Sequence, residues 1–132
     1  MRDFRRREGR AVDDSRPIFQ QVAEQIENDI ISGALPEDSQ IPSTNEFAAF
    51  LRINPATAGK GVALLVDEGI LYKKRGIGMF VSPGARDRIL AQRRERFRAD
   101  YVLPLVAEAA KLGIAPAELA GLIRSAEGES AR

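Results

Sequence analysis

Two helix-start signals stand one short helix apart in this chain, and the residues between them allow little except a turn. The first is "PSTNEF". Ser43 can accept a bond from the N–H of Glu46, and the Glu46 carboxylate can reach back to the N–H of Ser43, which is a capping box. The second is "INPAT". Asn54 is a good N-cap, and Pro55 suits the first helical position, where an N–H would be unpaired anyway. Phe47, Ala48 and Leu51 give the first helix a short apolar face, and "RIN" supplies the turn. The second helix should run from Pro55 to about Glu68, with Ala58, Val62, Leu65 and Val66 inward and Gly69 as its stop.

The surrounding pattern completes a module. Upstream, Ile18, Val22, Ile26 and Ile30 recur every four residues, with Phe19 and Ala23 beside them. That helix opens at Pro17 and should end near Gly33, where "ALPEDSQIP" reads as a loop. Downstream, "ILYKKRGIGMFVS" joins two β-favouring runs through turn glycines, which predicts a hairpin. Residues 17–82 therefore read helix, helix, turn, helix, hairpin, a winged helix-turn-helix order. The fold class is mainly α with a small β-hairpin.

Chemistry narrows the function classes. The chain of 132 residues has neither Cys nor His. Disulfides, thiolate and imidazole metal sites and His-based nucleophile activation are excluded. No Asp/Glu pair stands beside a motif that suggests a substrate, so no enzyme, cofactor or metal is expected. The N-terminus is basic without an apolar signal-peptide core, and no apolar run approaches the ~20 residues of a membrane span. The expected location is the cytoplasm.

Net charge is only +1, but it is segregated. Residues 1–10 carry five Arg against two acids, and residues 86–98 carry six Arg against two acids. Lys73, Lys74 and Arg75 adjoin in the hairpin. Each run taken alone also reads as a solvated face. The leading edge of the second helix, "NPATAGKG", carries little bulk. Large apolar side chains there would obstruct entry into a major groove about 12 Å wide. A helix end that needs no packing would look the same.

The ordered motifs "PIFQQVAEQIENDIISGAL" and "QIPSTNEFAAFLRINPATAGKGVALLVDEGILYKKRGIGMFV" resemble the GntR-type winged-helix DNA-binding domain. The "INP-x-T" turn and the short tail with "EAAKLGI" resemble the YtrA subfamily. The resemblance covers about residues 17–124. It implies a homodimeric bacterial transcriptional regulator, usually a repressor, whose partner is operator DNA. By position it carries DNA contact to Ser43, Thr44 and Asn45, to Asn54, Pro55, Ala56, Thr57 and Lys60, and to Gly76 and Gly78. Lys73, Lys74 and Arg75 join that set on charge alone.

The chain departs from the resemblance at several points. The family usually has Arg where Asn45 stands, and Arg holds guanine bidentately whereas Asn prefers adenine. Most GntR proteins have Arg in place of Pro55, a change ordinary in YtrA-like proteins. Val or Ile is commoner than Ala58, and Ala or a bulkier residue is commoner than Gly61. Gly59 and Gly61 each cost up to ~1 kcal/mol relative to Ala in a helix. They predict a locally soft recognition helix.

A long helical pattern follows from Ala85 to Leu112, with Pro104 inside it as an expected kink. A last short helix opens at Pro116. These two helices are too few to enclose a private ligand pocket of ~300 Å³. Leu90, Phe97, Tyr101, Leu105, Leu112, Leu119, Leu122 and Ile123 are instead expected to bury against a second copy, although packing within one chain is the plainer alternative. The expected organisation is a flexible basic arm over 1–15, the winged domain over 16–84, a two-helix dimerisation region over 85–124 and a disordered tail over 125–132. The Arg runs could touch phosphates or make surface ion pairs, and an effector between the dimer tails is left without a name. A winged helix serving as a protein-interaction module is the alternative function.

Overall fold

The computed structural model describes residues 15–130. The basic arm expected over 1–15 lies outside them except for Ser15, as do the last two residues of the tail. The described elements are α1 (Ile18–Ser32), α2 (Thr44–Leu51), α3 (Pro55–Asp67), β1 (Leu71–Lys74), β2 (Gly78–Val81), α4 (Ala85–Phe97), a π-helical segment (Arg98–Val102), α5 (Leu103–Lys111) and α6 (Pro116–Ser130). Packing divides the chain after Ala91 into two compact units. No helix among the described residues is long and apolar enough to cross a membrane.

Helix ends in the first unit follow local chemistry. Gly33 closes α1 in the left-handed conformation, with its N–H on the Ile30 carbonyl. Both arms of the Ser43–Glu46 capping box form, at 3.1 and 2.9 Å. Arg52 ends α2 at φ 56°, a left-handed position that is uncommon for a residue with a Cβ. The Asn54 side chain accepts the Ala56 N–H at 2.7 Å and opens α3 with Pro55 at its start.

One core joins these elements. Val22 and Ile26 of α1, Phe47 of α2, Val62 and Leu65 of α3, and Ile70, Leu71 and Val81 of the hairpin region are almost entirely buried. The hairpin is antiparallel, pairing Leu71 with Val81 and Lys74 with Gly78. The loop before α2 adds a third edge. Asp38 and Ile41 donate their N–H groups to the Val81 and Met79 carbonyls at 2.7 and 2.9 Å, and Val81 donates to Ser39 at 3.0 Å.

The winged unit extends past its expected boundary at residue 84. Ala85 and Ile89 are buried in its core. Two arginines of the 86–98 run fasten these turns of α4. Arg86 Nε donates to the Ile31 carbonyl at 3.1 Å, near the end of α1. Arg88 Nη1 donates to the Gly69 carbonyl at 3.3 Å, just past the end of α3. Unpaired carbonyls at a helix C-terminus favour such cations.

The second unit differs from its sequence reading in two places. The helix through Pro104 takes a π turn just before the ring: the Leu103 N–H bonds to the Arg98 carbonyl, five residues back. In a continuous α-helix the proline ring would meet the carbonyl four residues back. The wider turn takes up that misfit, so the expected simple kink becomes a change of helical register. Secondly, α6 continues to Ser130, where disorder was expected from Ser125. Ala126, Glu127 and Glu129 are good helix formers, and the glycine at 128 falls in the last turn, where its cost is small.

Candidate nucleic-acid interface

Three pieces of the first unit present the predicted contact residues: the start of α2, the start of α3 and the hairpin wing. Ser43 and Asn45 are exposed, and Thr44 is half-buried beside α3. The Ser43 oxygen already accepts from Glu46, so its hydroxyl proton is what it can offer outward. Asn54 is in the same position: its Oδ1 caps the helix, leaving the amide N–H groups to donate. Pro55 and Ala56 are exposed and Thr57 is half-buried, giving the low-profile leading edge that the sequence implied.

Lys60 is exposed, with its ammonium 4.2 Å from the centre of the Phe19 ring. It thus lies over α1 at the flank of α3. A cation held over a ring keeps its charge and loses some of its freedom.

The two glycines of α3 separate in role. A Cβ built on Gly61 would sit 2.7 Å from the Phe19 carbonyl oxygen and 2.9 Å from Val22 Cβ. Gly61 is therefore a packing residue that lets α1 approach α3. A Cβ on Gly59 would meet only the Thr44 methyl at 3.6 Å, an ordinary contact. Ala58 and Val62 are buried on either side of them. The expected softness keeps its basis at Gly59 and loses it at Gly61.

The wing cations do not form one patch. Lys73 pairs opposite Met79 on the face that carries Leu71 and Val81, whereas Tyr72, Lys74 and Phe80 share the other face. There the Lys74 ammonium lies 4.4 Å from the Phe80 ring centre, and Tyr72 stacks on Phe80 at 5.7 Å. The Tyr72 hydroxyl donates to Asp38 at 2.9 Å. That hydrogen bond, with partial burial and the Asp38 charge, raises the phenol above its usual pKa. Arg75 and Gly76 occupy the exposed turn, with Gly76 at φ 77°.

A cleft of about 180 Å³ connects two of the three pieces, lined by Ser43 and Thr44 on one side and by Ile77 and Gly78 on the other. Lys60 and the wing lysines do not line it. Ile77 and Gln40 are among the lining residues that sequence reasoning missed. Ile77 is an apolar side chain 62 % exposed at the wing tip, and its signal was its position between Gly76 and Gly78. Gln40 reaches the Ile77 carbonyl from the loop before α2, and nothing in "DSQIP" announces that. Among the described residues, no group of acidic side chains is arranged to hold a metal ion.

In the second unit, Phe97, Tyr101, Leu105, Leu112, Leu122 and Ile123 are all exposed, while Leu119 is half-buried. Leu90, in the first unit, is half-buried. Leu103 and Val106, absent from the sequence prediction, are exposed as well.

Comparison with known proteins gives this geometry a lineage. Residues 18–81 match the bacterial regulatory proteins of the gntR family. The chain is 36% identical over 74 residues to the HTH-type transcriptional repressor NagR of Bacillus subtilis, covering 56% of this chain and 30% of that protein. It is 30% identical over 76 residues to the HTH-type transcriptional repressor YtrA of the same organism, covering 58% of each. The chain thus spans less than a third of the first of these relatives and less than three fifths of the second. A crystal structure of a GntR-family transcriptional regulator from Bacteroides thetaiotaomicron superposes with a TM-score of 0.74 at 31% identity, covering 86% of this chain and 98% of that one. A winged helix followed by C-terminal helices, matched over nearly the whole of that structure, establishes that the chain belongs to the GntR family of bacterial regulatory proteins.

Proposed function

We propose that this chain is a homodimeric repressor of the YtrA type that binds a palindromic operator. The observation that carries the reading is the joint presentation of the start of α2, the small-residue start of α3 and the wing tip, with Ser43, Thr44, Ile77 and Gly78 around one cleft. In this reading α3 enters the major groove with Thr57 and Asn54 at its leading edge. Asn45 reads a base or fixes register. Ser43, Thr44, Pro55 and Ala56 approach the backbone or groove wall closely. Lys60, Lys73, Lys74 and Arg75 supply phosphate attraction from several directions, and Gly76 and Gly78 let the wing backbone come near. Repression follows the names of the relatives. Protein of this kind acts in the cytoplasm, on the chromosome.

The exposed apolar side chains of the second unit support the homodimer. Phe97 and Tyr101 pack ring to ring at 5.6 Å yet remain 59 % and 66 % exposed. Leu105, Leu112, Leu122 and Ile123 continue the apolar surface, which a second copy would cover. A twofold dimer would address half-sites one DNA turn apart, about 34–36 Å. An effector held by those tails is compatible with the reading, and no residue names its chemistry.

The test is a footprint on the DNA upstream of the protein's own gene. Two symmetric protected half-sites are expected. A chain that protects no DNA and captures a protein instead sinks the reading in favour of an interaction module. Asn45→Arg then sharpens the site: it should move the preferred base at one position in each half-site toward guanine, by ~1–3 kcal/mol of discrimination. An unchanged preference removes Asn45 from the base-reading set.

A further inference from the structure

We propose that Gln40 is a positioning residue for DNA recognition: it latches the wing at a fixed angle to α2, and Gly78 is a glycine to make room for it. The inference rests on the DNA-binding reading above. Gln40 Nε2 donates to the Ile77 carbonyl at 3.0 Å, in the turn of the wing. Gly78 follows at φ 149°, a conformation that side chains rarely adopt. A Cβ there would stand 2.5 Å from Gln40 Nε2 and 3.5 Å from Gln40 Cδ. The amide thus occupies the space that any other residue at 78 would fill. The glycine that sequence resemblance assigns to DNA approach has a second, internal reason.

The latch matters because of where Gln40 sits in the chain. Its backbone bridges to Phe80 of β2, and the next residue, Ile41, donates to Met79 at 2.9 Å. Ser43, which caps α2, comes two residues later. One short segment is therefore bonded to the wing on one side and begins α2 on the other. The backbone bonds fix the base of the wing, and among the described residues the Gln40 side chain extends that hold to the tip. The turn itself contributes a single Ile77 N–H to Lys74 carbonyl bond at 2.9 Å, which closes the hairpin and says nothing of its direction. Without the amide the tip can swing while the strands stay paired. Ile77 would then lose its fixed distance from Ser43 and Thr44 across the cleft.

Gln40→Met keeps length and neutrality and removes the donor. Its affinity is measured on a DNA duplex that the wild-type chain selects from a random library. A lost hydrogen bond of this kind is expected to weaken binding roughly 3- to 10-fold. Footprinting should show protection lost where the wing lies and retained where α3 lies, a pattern that general destabilisation does not produce. The same substitution is then made in a short-wing variant, with Lys74–Gly78 replaced by Asn-Gly. There Gln40→Met should change affinity less than ~2-fold, because the bond has no tip to hold. Equal losses in both backgrounds, uniform loss of protection, or wild-type affinity in Gln40→Met each overturn the latch and leave the DNA-binding reading standing. A wild-type chain that selects no duplex overturns that reading and the latch with it.

Discussion

The two units of this chain bury their apolar residues in opposite ways. In the first, Phe47, Ile26, Leu65, Ile70, Leu71 and Ile89 are sealed from solvent by their own chain. In the second, Ala109 is the one buried hydrophobic residue among those described, and side chains as large as Phe97 and Tyr101 face outward. The difference is one of completeness. The winged unit closes a core from three helices, the first turns of a fourth and a hairpin. The tail contributes apolar faces without a second layer to cover them, and an apolar stripe needs such a layer. The first unit covers its own apolar residues, and the second leaves most of those described exposed.

Truncating each region tests that contrast. Phe47→Ala removes a fully buried ring and should destabilise the winged unit by about 3–5 kcal/mol, read as a fall in the urea midpoint. Leu105→Asp with Leu122→Asp should leave that midpoint nearly unchanged when dissociated protomers are compared, while sedimentation shifts from dimer to monomer. A double variant that stays dimeric would remove these two leucines from the interface. One that unfolds the winged unit would show that the tail supports it.

Within the first unit, a sharper comparison lies between Gly59 and Gly61. Both cost helix propensity, and both read from sequence as sources of softness. Their surroundings differ. Gly59→Ala should stabilise by up to ~1 kcal/mol, since its new methyl meets only the Thr44 methyl at 3.6 Å. Gly61→Ala should destabilise by about 1–3 kcal/mol despite the same gain in propensity, because the Phe19 carbonyl stands 2.7 Å from the new atom and backbone must move. Thermal melts of the two variants decide. If both gain stability, α1 moves away from α3 more readily than this packing implies.

That pair also marks what sequence could and could not reveal. The capping box at Ser43, the Asn54–Pro55 start and the stops at Gly33 and Gly69 were legible because each is set by residues within a turn of one another. The hairpin was legible from two β-favouring runs joined through turn glycines. Gly61 was misread because its reason lies on another helix, 42 residues back at Phe19. Gln40 was missed for the same cause: its partner is 37 residues away. The wing cations read as one run, yet the pleat sends Lys73 and Lys74 to opposite faces. Local chemistry announces where elements begin and end. Which residue fills a gap between two elements depends on how they cross, and no short stretch carries that.

The smallest effect concerns the other tie between the loop before α2 and the hairpin, where the Tyr72 hydroxyl donates to Asp38 at 2.9 Å. The phenol is raised above its ordinary value of 10.0, first by that hydrogen bond. A phenol whose folded pKa exceeds its unfolded one stabilises the fold fully below the unfolded value. That contribution is lost as pH rises through the folded value, because the ionised oxygen can no longer donate and faces a carboxylate. Tyr72→Phe keeps the ring available to stack on Phe80 and removes the titration. The informative quantity is the difference between the two stability curves, in which everything common to both proteins cancels. Wild type should exceed Tyr72→Phe at pH 7, and the gap should narrow or reverse in alkali above pH 10. A gap that stays constant with pH would mean that the bond is replaced by water at no cost. Gln40 would then be the side chain on which the position of the wing depends.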